Sequence, residues 1–511
     1  MVSPLWRDSE LRSLHRPLLY SALDKYLGLL INLATTAVVA RLLSPDEIGV
    51  FVVGSAVTLL AEALRDFGTG SYVIQLRDDD PVALRTAFTV TMAVSLALAV
   101  GLFLLARPIA DFYADARLIP VVQVAAGGLL LSALASVPAA LLRRELAFGP
   151  LAVINTTGLL VNFLASVAFI SLGFGYLGLV CASFMASLAS SIGTIACRGQ
   201  LWIYRPSTAR WREVGSFGGF ASATSLLNVF FTVLPQTLLG RLAGFDAAGL
   251  YTRAMTLCQL PDRAIVGALQ PVIFPAFAAE AREGDLRATY VKTLGLLSAA
   301  QWPVLACVAV MAEPVVHVLL GPKWTSAAPL LRVLAISYMA MMPAPLTYPT
   351  LVALGRIRDT LTVSLVSLPL GILAMAIAAP FGVMAVAVSM LFAWPLQIAV
   401  AMAFICRGAR LSWRDVGGAL WKSIPVTVLA ALVPLVVAFS NGFRPDLPIT
   451  ALASAALGAL AGWLLGLMLT RHPLLGEILH ALDLARGRLI EGHATLDAIR
   501  RNRIGSLISR L

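Results

Sequence analysis

Charged residues are scarce in this chain. Asp, Glu, Lys and Arg together make up 13% of its 511 residues, whereas 59% of the residues are hydrophobic. A soluble protein carries roughly a quarter charged residues, so this chain lacks the polar side chains that would cover a water-facing surface. This scarcity excludes an ordinary soluble globular protein and indicates an all-α polytopic membrane protein.

Patterns typical of metal sites and enzymes are also missing. The five cysteines lie in or beside apolar runs without metal-ligand spacing, and the five histidines do not cluster. The phosphate loop G-x-x-x-x-G-K-[ST], the zinc motif H-E-x-x-H and the nucleophile motif G-x-S-x-G do not occur. The sequence therefore predicts no enzyme activity, no catalytic residue, no metal site and no cofactor. The first fifteen residues are polar and basic, so no removable signal peptide is expected.

Long apolar runs are what the chain does contain. Runs such as "FTVTMAVSLALAVGLFLLA" approach the ~20 residues that cross a hydrocarbon core. Hydropathy predicts about fourteen membrane helices, at 18–41, 46–66, 85–107, 119–142, 150–172, 175–198, 214–240, 247–276, 291–313, 326–354, 359–380, 383–406, 421–440 and 448–470. The expected units are a cytoplasmic segment 1–17, a six-helix lobe 18–198, a cytoplasmic linker 199–213, a second lobe 214–406, two more spans with their preceding loop 407–470, and a basic amphipathic cytoplasmic tail 471–511.

Basic residues predict the orientation of these spans. If the N-terminus is cytoplasmic, most arginines and lysines fall in the inside segments. The opposite side keeps Arg41, Arg107, Arg117, Arg241, Lys323 and Arg444. This bias is what the positive-inside rule demands, so both termini are expected in the cytoplasm. The net charge of +11 then faces anionic cytoplasmic lipid, and nucleic acid is not expected as a partner.

A short sequence motif, typical of a turn between two helices, occurs twice, two hundred positions apart. "ARLLSPDEIGVF" (40–51) aligns without a gap with "GRLAGFDAAGLY" (240–251). Six predicted spans separate the copies, so both turns lie on the same side of the membrane. The sequence therefore predicts two parallel repeats around a central cavity, whose first hairpins face each other across that cavity.

The same offset extends into the helices that precede the turns. Small or polar residues recur at every fourth position, which places them on one helix face: Asp24, Gly28, Asn32 and Thr36 in the first half, and Thr224, Asn228, Thr232 and Gln236 in the second. Glu62 and Asp262 also match at this offset. Such a stripe faces either a neighbouring helix or a shared cavity, because lipid cannot satisfy it.

Charges inside the spans are the candidate functional residues, since a charge at the bilayer centre costs at least ~2.5 kcal/mol. They either bind an anionic substrate, or snorkel and form structural ion pairs. The candidate substrate-binding residues are Lys25, Asn32, Arg41, Asn228, Gln236, Arg241, Arg253, Arg263 and Arg332. The candidate ion-coupling residues are Asp24, Glu62 and Asp262.

Two motifs carry a family resemblance. The stretch "ARLLSPDEIGVFVVGSAVTLLAEALRDFGTGSYVIQ" contains an L-[ST]-P-x-x-[FIY]-G turn, a D-F-G-x-G segment and a closing I-Q. The stretch "AAGLYTRAMTLCQLPDRAIVGALQPVIFPAF" contains G-L-Y-x-x-A, Pro261 and an F-P pair at Phe274 and Pro275. Over residues 15–470 the chain resembles the bacterial polysaccharide transporter family, the Wzx-like flippases of the multidrug, oligosaccharidyl-lipid and polysaccharide exporter superfamily.

The resemblance implies two six-helix lobes, with two further C-terminal helices. It also implies a flippase of the bacterial inner membrane that moves undecaprenyl-pyrophosphate-linked oligosaccharide repeat units by alternating access, for exopolysaccharide or O-antigen synthesis. The implied partners are the lipid-linked oligosaccharide, membrane lipids, and a glycan polymerase with other assembly proteins. Three alternatives stay open: a cation-coupled multidrug exporter, a peptidoglycan-precursor flippase, and a membrane scaffold for glycan assembly.

Overall fold

A computed structural model describes residues 8–65, 69–76, 80–480 and 483, without the side chains of 8–22, 71, 215–225, 227–228, 268, 271, 283 and 357. Every regular element in this part of the chain is a helix. The α-helices are α1 (Asp8–Leu42), α2 (Pro45–Arg65), α3 (Thr69–Gln75), α4 (Pro81–Tyr113), α5 (Leu118–Arg144), α6 (Phe148–Phe169), α7 (Tyr176–Arg198), α8 (Trp211–Leu242), α9 (Phe245–Cys258), α10 (Leu260–Glu283), α11 (Leu286–Val310), α12 (Ala312–Leu319), α13 (Ala327–Tyr338), α14 (Ala344–Ala353), α15 (Ile357–Ala378), α16 (Val383–Ala409), α17 (Trp413–Trp421), α18 (Ser423–Ser440) and α19 (Ile449–Leu469).

Twelve helices in the described part are long and apolar enough to cross a membrane, and a bent pair brings the number to thirteen. The predicted span 214–240 falls in α8, of which Val229–Leu242 counts as a shorter apolar helix. The prediction of a multi-pass helical membrane protein is therefore confirmed, whereas the count of fourteen stays a prediction.

Two of the predicted spans are interrupted. The span predicted at 247–276 is interrupted at Gln259, between α9 and α10, and it bends by 54° further along, between Phe245–Gly267 and Val272–Arg282. A 3-10 turn, Met339–Met341, interrupts the span predicted at 326–354. Proline lies near both breaks, and a proline removes a helix hydrogen bond. Such irregular backbone at membrane depth is tolerated where it is buried in protein or lines a cavity.

A capping box forms the first copy of the repeated turn. The Glu47 side chain accepts a hydrogen bond from the Ser44 amide at 2.9 Å, and the Ser44 hydroxyl accepts one from the Glu47 amide at 3.3 Å. Pro45 occupies the first helical position, where its missing N–H costs nothing. The second copy uses Gly244 instead, at a φ of 91° that favours glycine. The helix after the first turn thus begins with a capping box, and the helix after the second turn begins with a glycine at positive φ.

The two repeated turns touch each other directly. A Cβ added at Gly49 would lie 2.9 Å from the Phe245 Cα, and one added at Gly249 would lie 2.9 Å from the Pro45 carbonyl carbon. These contacts are reciprocal at the two-hundred-residue offset, so α2 and α9 cross backbone to backbone. The first hairpins of the two repeats were predicted to face each other across a central cavity. The structure corrects that prediction at this end, where no cavity separates them. We call it the turn end.

Most helices of α1–α7 (the N-half) and of α8–α16 (the C-half) pack within their own half, whereas α2 packs against both α8 and α9. The largest cluster of buried apolar side chains lies near the turn end and joins α1 and α2 to α9, α13 and α16. Smaller clusters fill each half separately. The apolar core therefore ties the halves together at one end of the molecule.

The last two membrane helices dock on the C-half. In α19, Gly458, Gly462 and Gly466 let its backbone approach α18 closely. The Trp463 indole donates to the Ala299 carbonyl of α11 at 2.8 Å. Small residues and one aromatic anchor thus hold this pair in place.

The start of the C-terminal tail packs on protein. Residues 473–480 are helical, and Leu474, Leu475 and Ile478 contact the cluster around Ala299. Glu477 accepts an ion-pair contact from Lys292 at 2.7 Å, which lowers the pKa of that carboxyl. The rest of the predicted amphipathic tail, 481–482 and 484–511, lies outside the described residues.

Candidate substrate cavity

The N-half contains a polar cavity of about 700 Å³. Helices α1, α5, α6 and α7 form its walls. Its polar lining residues are Asp24, Lys25, Asn32, Ser132, Asn155, Asn162, Ser187, Ser190 and Ser191, with Arg263 reaching in from the C-half. Amides and hydroxyls both donate and accept hydrogen bonds, so this N-half cavity can bind a ligand that is itself rich in hydroxyl groups.

Asp24 is held in place at the wall of this cavity. Its carboxylate accepts hydrogen bonds from the Asn155 amide at 3.2 Å and from the Thr156 hydroxyl at 3.3 Å. Asn32 lies just over two turns further along α1. Its amide donates to the Gly28 carbonyl at 2.8 Å, and the residue also lines the cavity. Three of the four residues of the stripe predicted on α1, Asp24, Gly28 and Asn32, therefore face this cavity, whereas Thr36 is buried and does not line it.

Lys25 and Arg263 bring positive charge to the junction of the two halves. The Lys25 ammonium donates to the Gly267 carbonyl oxygen of α10, so it bridges from the N-half to the C-half. Both cations, with Asp262, line a second space of about 500 Å³, the interlobe cavity. Lys25 is exposed, and Arg263 binds Gln259 at 3.1 Å. Two donors of positive charge thus lie at one site.

Arg263 also reaches a third space, of about 420 Å³, inside the C-half. We call it the glutamine cavity, because Gln236, Gln259 and Gln397 line it. Arg263 is the one predicted residue found on the N-half, interlobe and glutamine cavities together. The guanidinium carries a permanent charge with five donors in a planar fork, so it can contact an anionic group from any of the three sides.

The two carboxylates predicted from the repeat occupy different surroundings. Asp262 lines the interlobe cavity and accepts a hydrogen bond from the Gln301 amide at 3.0 Å. Glu62 lines a separate space of about 240 Å³ within the N-half, beside Ser55 and Ser183. The structure therefore does not bring Glu62 and Asp262 together.

Arg41 and Arg241 lie at the turn end instead of beside these cavities. The Arg41 guanidinium donates to the Val318 carbonyl at 2.6 Å, across the junction of the halves. Arg241 lies over the Phe112 ring at 5.3 Å. Nearby, Arg117 hydrogen-bonds Asp115 and lowers the pKa of that carboxyl. Basic residues at this end hold protein groups together.

Three hydrogen bonds latch the last turn of α1 to the C-half. The buried Trp324 indole donates to the Ala40 carbonyl at 2.6 Å, and the Lys323 ammonium donates to the Leu42 carbonyl at 3.1 Å. The third is the Arg41 bond to Val318. Carbonyls at a helix C-terminus lack partners within their own helix, so the loop from Gly321 to Trp324 caps α1. We call these contacts the turn-end latch.

The remaining predicted residues are placed as follows. Arg332 forms a two-pronged ion pair with Glu313 at 2.8 and 2.6 Å, and it is not among the residues that line the cavities above. The Nε atom of Arg253 is buried without a hydrogen-bond partner among the described residues, and it too lines none of those cavities. The side chain of Asn228 lies outside the described residues.

Several cavity residues were not predicted from the sequence. They are Asn155 and Asn162 on α6, Ser187, Ser190 and Ser191 on α7, and Gln259 and Gln397 in the C-half. The sequence of α6 contains a pattern that indicates two of them. Asn155 and Asn162 lie seven residues apart, so they share one helix face of an otherwise apolar segment. The stripe test applied to α1 and α8 would have found them in α6.

Known proteins resemble this chain in sequence and in fold. Residues 38–329 match the family described as polysaccharide biosynthesis protein, which is just over half of the chain. The lipopolysaccharide biosynthesis protein WzxC of Escherichia coli (strain K12) is 26% identical over 328 residues, covering 62% of this chain and 65% of the relative. The succinoglycan biosynthesis transport protein ExoT of Rhizobium meliloti (strain 1021) is 24% identical over 343 residues, covering 66% and 68%. The chain thus matches about two thirds of the length of these relatives.

Solved structures show the same fold. The lipid II flippase MurJ in an inward closed conformation superposes with a TM-score of 0.69 at 11% identity, covering 89% of this chain and 99% of that one. An inward-facing MATE multidrug resistance transporter gives a TM-score of 0.63 at 16% identity, covering 77% and 95%. The chain therefore belongs to the polysaccharide biosynthesis protein family, and it is a multi-pass membrane protein with the fold of these transporters.

Proposed function

We propose that this protein is a flippase of the bacterial inner membrane, which moves undecaprenyl-pyrophosphate-linked oligosaccharide repeat units by alternating access for exopolysaccharide or O-antigen-type glycan synthesis. The observation that carries the proposal is the meeting of Lys25 from the N-half and Arg263 from the C-half beside one polar cavity. The names of the relatives support transport in polysaccharide biosynthesis, and the lipid II flippase MurJ has the same fold.

The chemistry of the site suits such a substrate. Hydrogen bonds from arginine or lysine to phosphate are charge-assisted and roughly twice as strong as neutral ones. Lys25 and Arg263 would take the pyrophosphate, while Asn32, Asn155 and Asn162 would bind sugar hydroxyls. The cavity of about 700 Å³ falls in the ~300–1,000 Å³ range of small-molecule sites. It would hold the reducing end of the oligosaccharide.

The depth of Lys25 and Arg263 in the membrane supports binding of the substrate from the inner leaflet. Lys25 precedes Leu42 by seventeen residues, so it lies roughly 25 Å from the turn end at 1.5 Å per residue. Arg263 follows Phe245 by eighteen residues and reaches a comparable depth. A hydrocarbon core is ≈ 30 Å thick. With both termini cytoplasmic and the turn end outside, the two charges lie near the inner interface, where the substrate's pyrophosphate begins.

The turn-end latch supports alternating access between two lobes. Substrate that has bound at Lys25 and Arg263 cannot leave through the turn end while Ala40, Leu42 and Val318 are bound across the halves. Opening toward the outside therefore requires these three hydrogen bonds to break and the crossing of α2 and α9 to separate. The latch is then the outer gate of the transport cycle.

Weakening the latch should favour the outward-open state. Trp324→Phe removes the indole N–H but keeps a buried ring, and an unsatisfied buried acceptor costs ≈ 1–3 kcal/mol. We expect a membrane-impermeant maleimide added to intact cells to label a Met255→Cys reporter in the glutamine cavity about fivefold faster in this variant, measured in a background without the native cysteines.

Trp421→Phe is the matched control, because Trp421 is 71% exposed and lies outside the latch. Equal labelling rates in the two variants would show that the Trp324 hydrogen bond does not hold the gate closed.

The experiment that tests the function itself is deletion of the gene, followed by mass spectrometry of the polyprenyl-pyrophosphate pool. We expect one defined oligosaccharide to accumulate on the lipid and the matching surface polymer to disappear. Complementation with the wild-type gene should reverse both changes. An unchanged pool would refute the flippase proposal.

Asp24 supports a second candidate, the cation-coupled multidrug exporter. A carboxylate on the wall of the N-half cavity, fixed by Asn155 and Thr156, would attract a cationic drug or a coupling cation. In that case the deletion strain becomes sensitive to cationic drugs while its lipid pool stays normal. The same strain therefore distinguishes the two functions.

A further inference from the structure

The C-half contains a large cavity that the proposed function has not used. It measures about 850 Å³ and is bounded by α8, α14, α15 and α16. The N-half cavity is bounded by α1, α5, α6 and α7. Counting the spans predicted from the sequence, with α13 and α14 taken as one broken span, these are the first, fourth, fifth and sixth of each half. The two cavities therefore occupy equivalent places in the two repeats.

The chemistry of the two equivalent cavities is different. In the N-half cavity three asparagines, a lysine and an aspartate line the wall, with Arg263 reaching in. In the C-half cavity one face of α15 presents Leu361, Leu365 and Leu368, which share a helix side at spacings of four and three. Leu361 is 40% and Leu365 48% exposed, so these side chains border the open space. The N-half cavity offers amide and charged groups, whereas the C-half cavity combines a leucine face with hydroxyl groups and a single cation.

The C-half wall also contains hydroxyl groups, including those of Ser364 and Ser367, and two others bond to backbone carbonyls. The Thr362 hydroxyl donates to the Arg358 carbonyl at 3.2 Å, and the Thr347 hydroxyl donates to the Pro343 carbonyl at 3.5 Å. Both bonds return to the residue's own helix or its immediate start, so the methyl groups are left for a ligand. Such a wall suits a hydrocarbon chain.

A single cation lies at one end of the leucine face. Arg358 is exposed, lines the cavity, and its guanidinium has no partner among the described residues. Its neighbour Arg356 is instead paired with Asp359 at 2.5 Å. Counting 1.5 Å per residue, Leu361 to Leu368 rise from roughly 5 to 15 Å above Arg358 along α15. A lipid of the inner leaflet has this same order, with an anionic head at the interface and a chain that rises into the core.

The cavity also continues toward Arg263. Phe231, Met341, Leu368 and Gln397 line both this cavity and the glutamine cavity that contains Arg263. A lipid phosphate that meets Arg358 first therefore has a continuous route to the cations at the junction of the halves.

We propose that the C-half cavity is a loading site for the polyprenyl chain of the lipid-linked substrate, in which Arg358 contacts the phosphate and the leucine face contacts the isoprene units nearest to it. This inference rests on the proposed function, and it assigns a different part of the substrate to each repeat. The N-half cavity takes sugar and the C-half cavity takes lipid.

The test measures binding to the purified full-length protein in detergent, with geranylgeranyl diphosphate as the chain-bearing probe and inorganic pyrophosphate as the probe without a chain. The double variant Leu361→Gln with Leu365→Gln should weaken geranylgeranyl diphosphate binding about tenfold, because two aliphatic contacts become polar. Its affinity for pyrophosphate should stay within twofold of the wild type. Arg358→Gln should weaken the chain-bearing probe as well.

The chain offers a matched control on the same helix. Leu373 and Ile377 have the same spacing of four residues and are 59% and 64% exposed, but they do not line the cavity. Leu373→Gln with Ile377→Gln should leave both affinities unchanged. If the two double variants behave alike, the leucine face is not the chain site.

Two further measurements use the wild-type protein, so they do not depend on the folding of a variant. They identify which ligand the cavity binds. A tenfold excess of phosphatidylglycerol should not displace the probe, and displacement would show that the cavity holds ordinary membrane lipid. Geranylgeranyl diphosphate with a photoreactive group on the isoprene unit next to the diphosphate should label 358–368 of the wild-type protein, whereas labelling confined to other helices would overturn the proposal. Failure of the proposed function looks different, since the wild type would then bind neither diphosphate saturably.

Discussion

Replacing Gly249 with alanine is expected to destabilise the closed turn end, and with it the folded protein, as is the same change at Gly49. A Cβ at either position would overlap backbone atoms of the opposite turn, Pro45 for Gly249 and Phe245 for Gly49. Backbone cannot move aside as the end of a flexible side chain can, so the crossing of α2 and α9 must separate. Overpacking of this kind typically costs 1–3 kcal/mol and occasionally more. The loss should be read as a lower unfolding temperature in detergent and as failed complementation.

Gly101 provides the control for this prediction. It lies in the membrane helix α4, and a Cβ added there meets nothing within 4 Å. Gly101→Ala should therefore be neutral or slightly stabilising, because alanine has the higher helix propensity. Equal behaviour of Gly101→Ala and Gly249→Ala would mean that the two turns are not in contact in the membrane.

The second large effect is expected at Arg263. Arg263→Ala removes the guanidinium that reaches three cavities, and a hydrogen bond to a charged group contributes ≈ 1.5–3 kcal/mol. We expect translocation of the lipid-linked oligosaccharide to fall roughly 10- to 100-fold at equal expression. Arg263→Lys should recover part of the loss, since it restores the charge but not the planar fork. Accumulated lipid-linked oligosaccharide in complemented deletion cells is the measurement.

Variants of two other arginines distinguish an effect on substrate binding from an effect on the stability of the protein. Arg407, near the end of α16, is exposed, and Arg407→Ala should leave translocation unchanged. Arg332→Ala breaks the ion pair with Glu313, so it should lower the unfolding temperature and the protein level without changing translocation per molecule. If all three alanine variants reduce translocation equally at equal expression, Arg263 has no special role in binding.

Lys25 and Arg263 were predicted together with Arg332, yet only the first two share a cavity. The sequence shows that all three charges lie in apolar segments, which makes them costly without a partner. It does not show that Glu313 lies beside Arg332 or that Gly267 lies beside Lys25, 242 residues away. The partner of a buried charge comes from packing, and hydropathy contains no information about packing between distant helices.

What the sequence by itself determined is local or periodic. Apolar length predicts the helices that span the membrane, the Ser44, Pro45 and Glu47 pattern forms a capping box, and a fixed offset identifies two equivalent turns. These features depend on residues that are neighbours along the chain, so short stretches specify them.

Only the tertiary structure decided what the repeat is used for. The turns meet because two glycines allow backbone contact, and the equivalent cavities differ because α6 contributes asparagines where α15 contributes leucines. Both outcomes require helices far apart in sequence to pack side by side. Contacts of that kind specify cavity chemistry, and they exist only once the chain has folded.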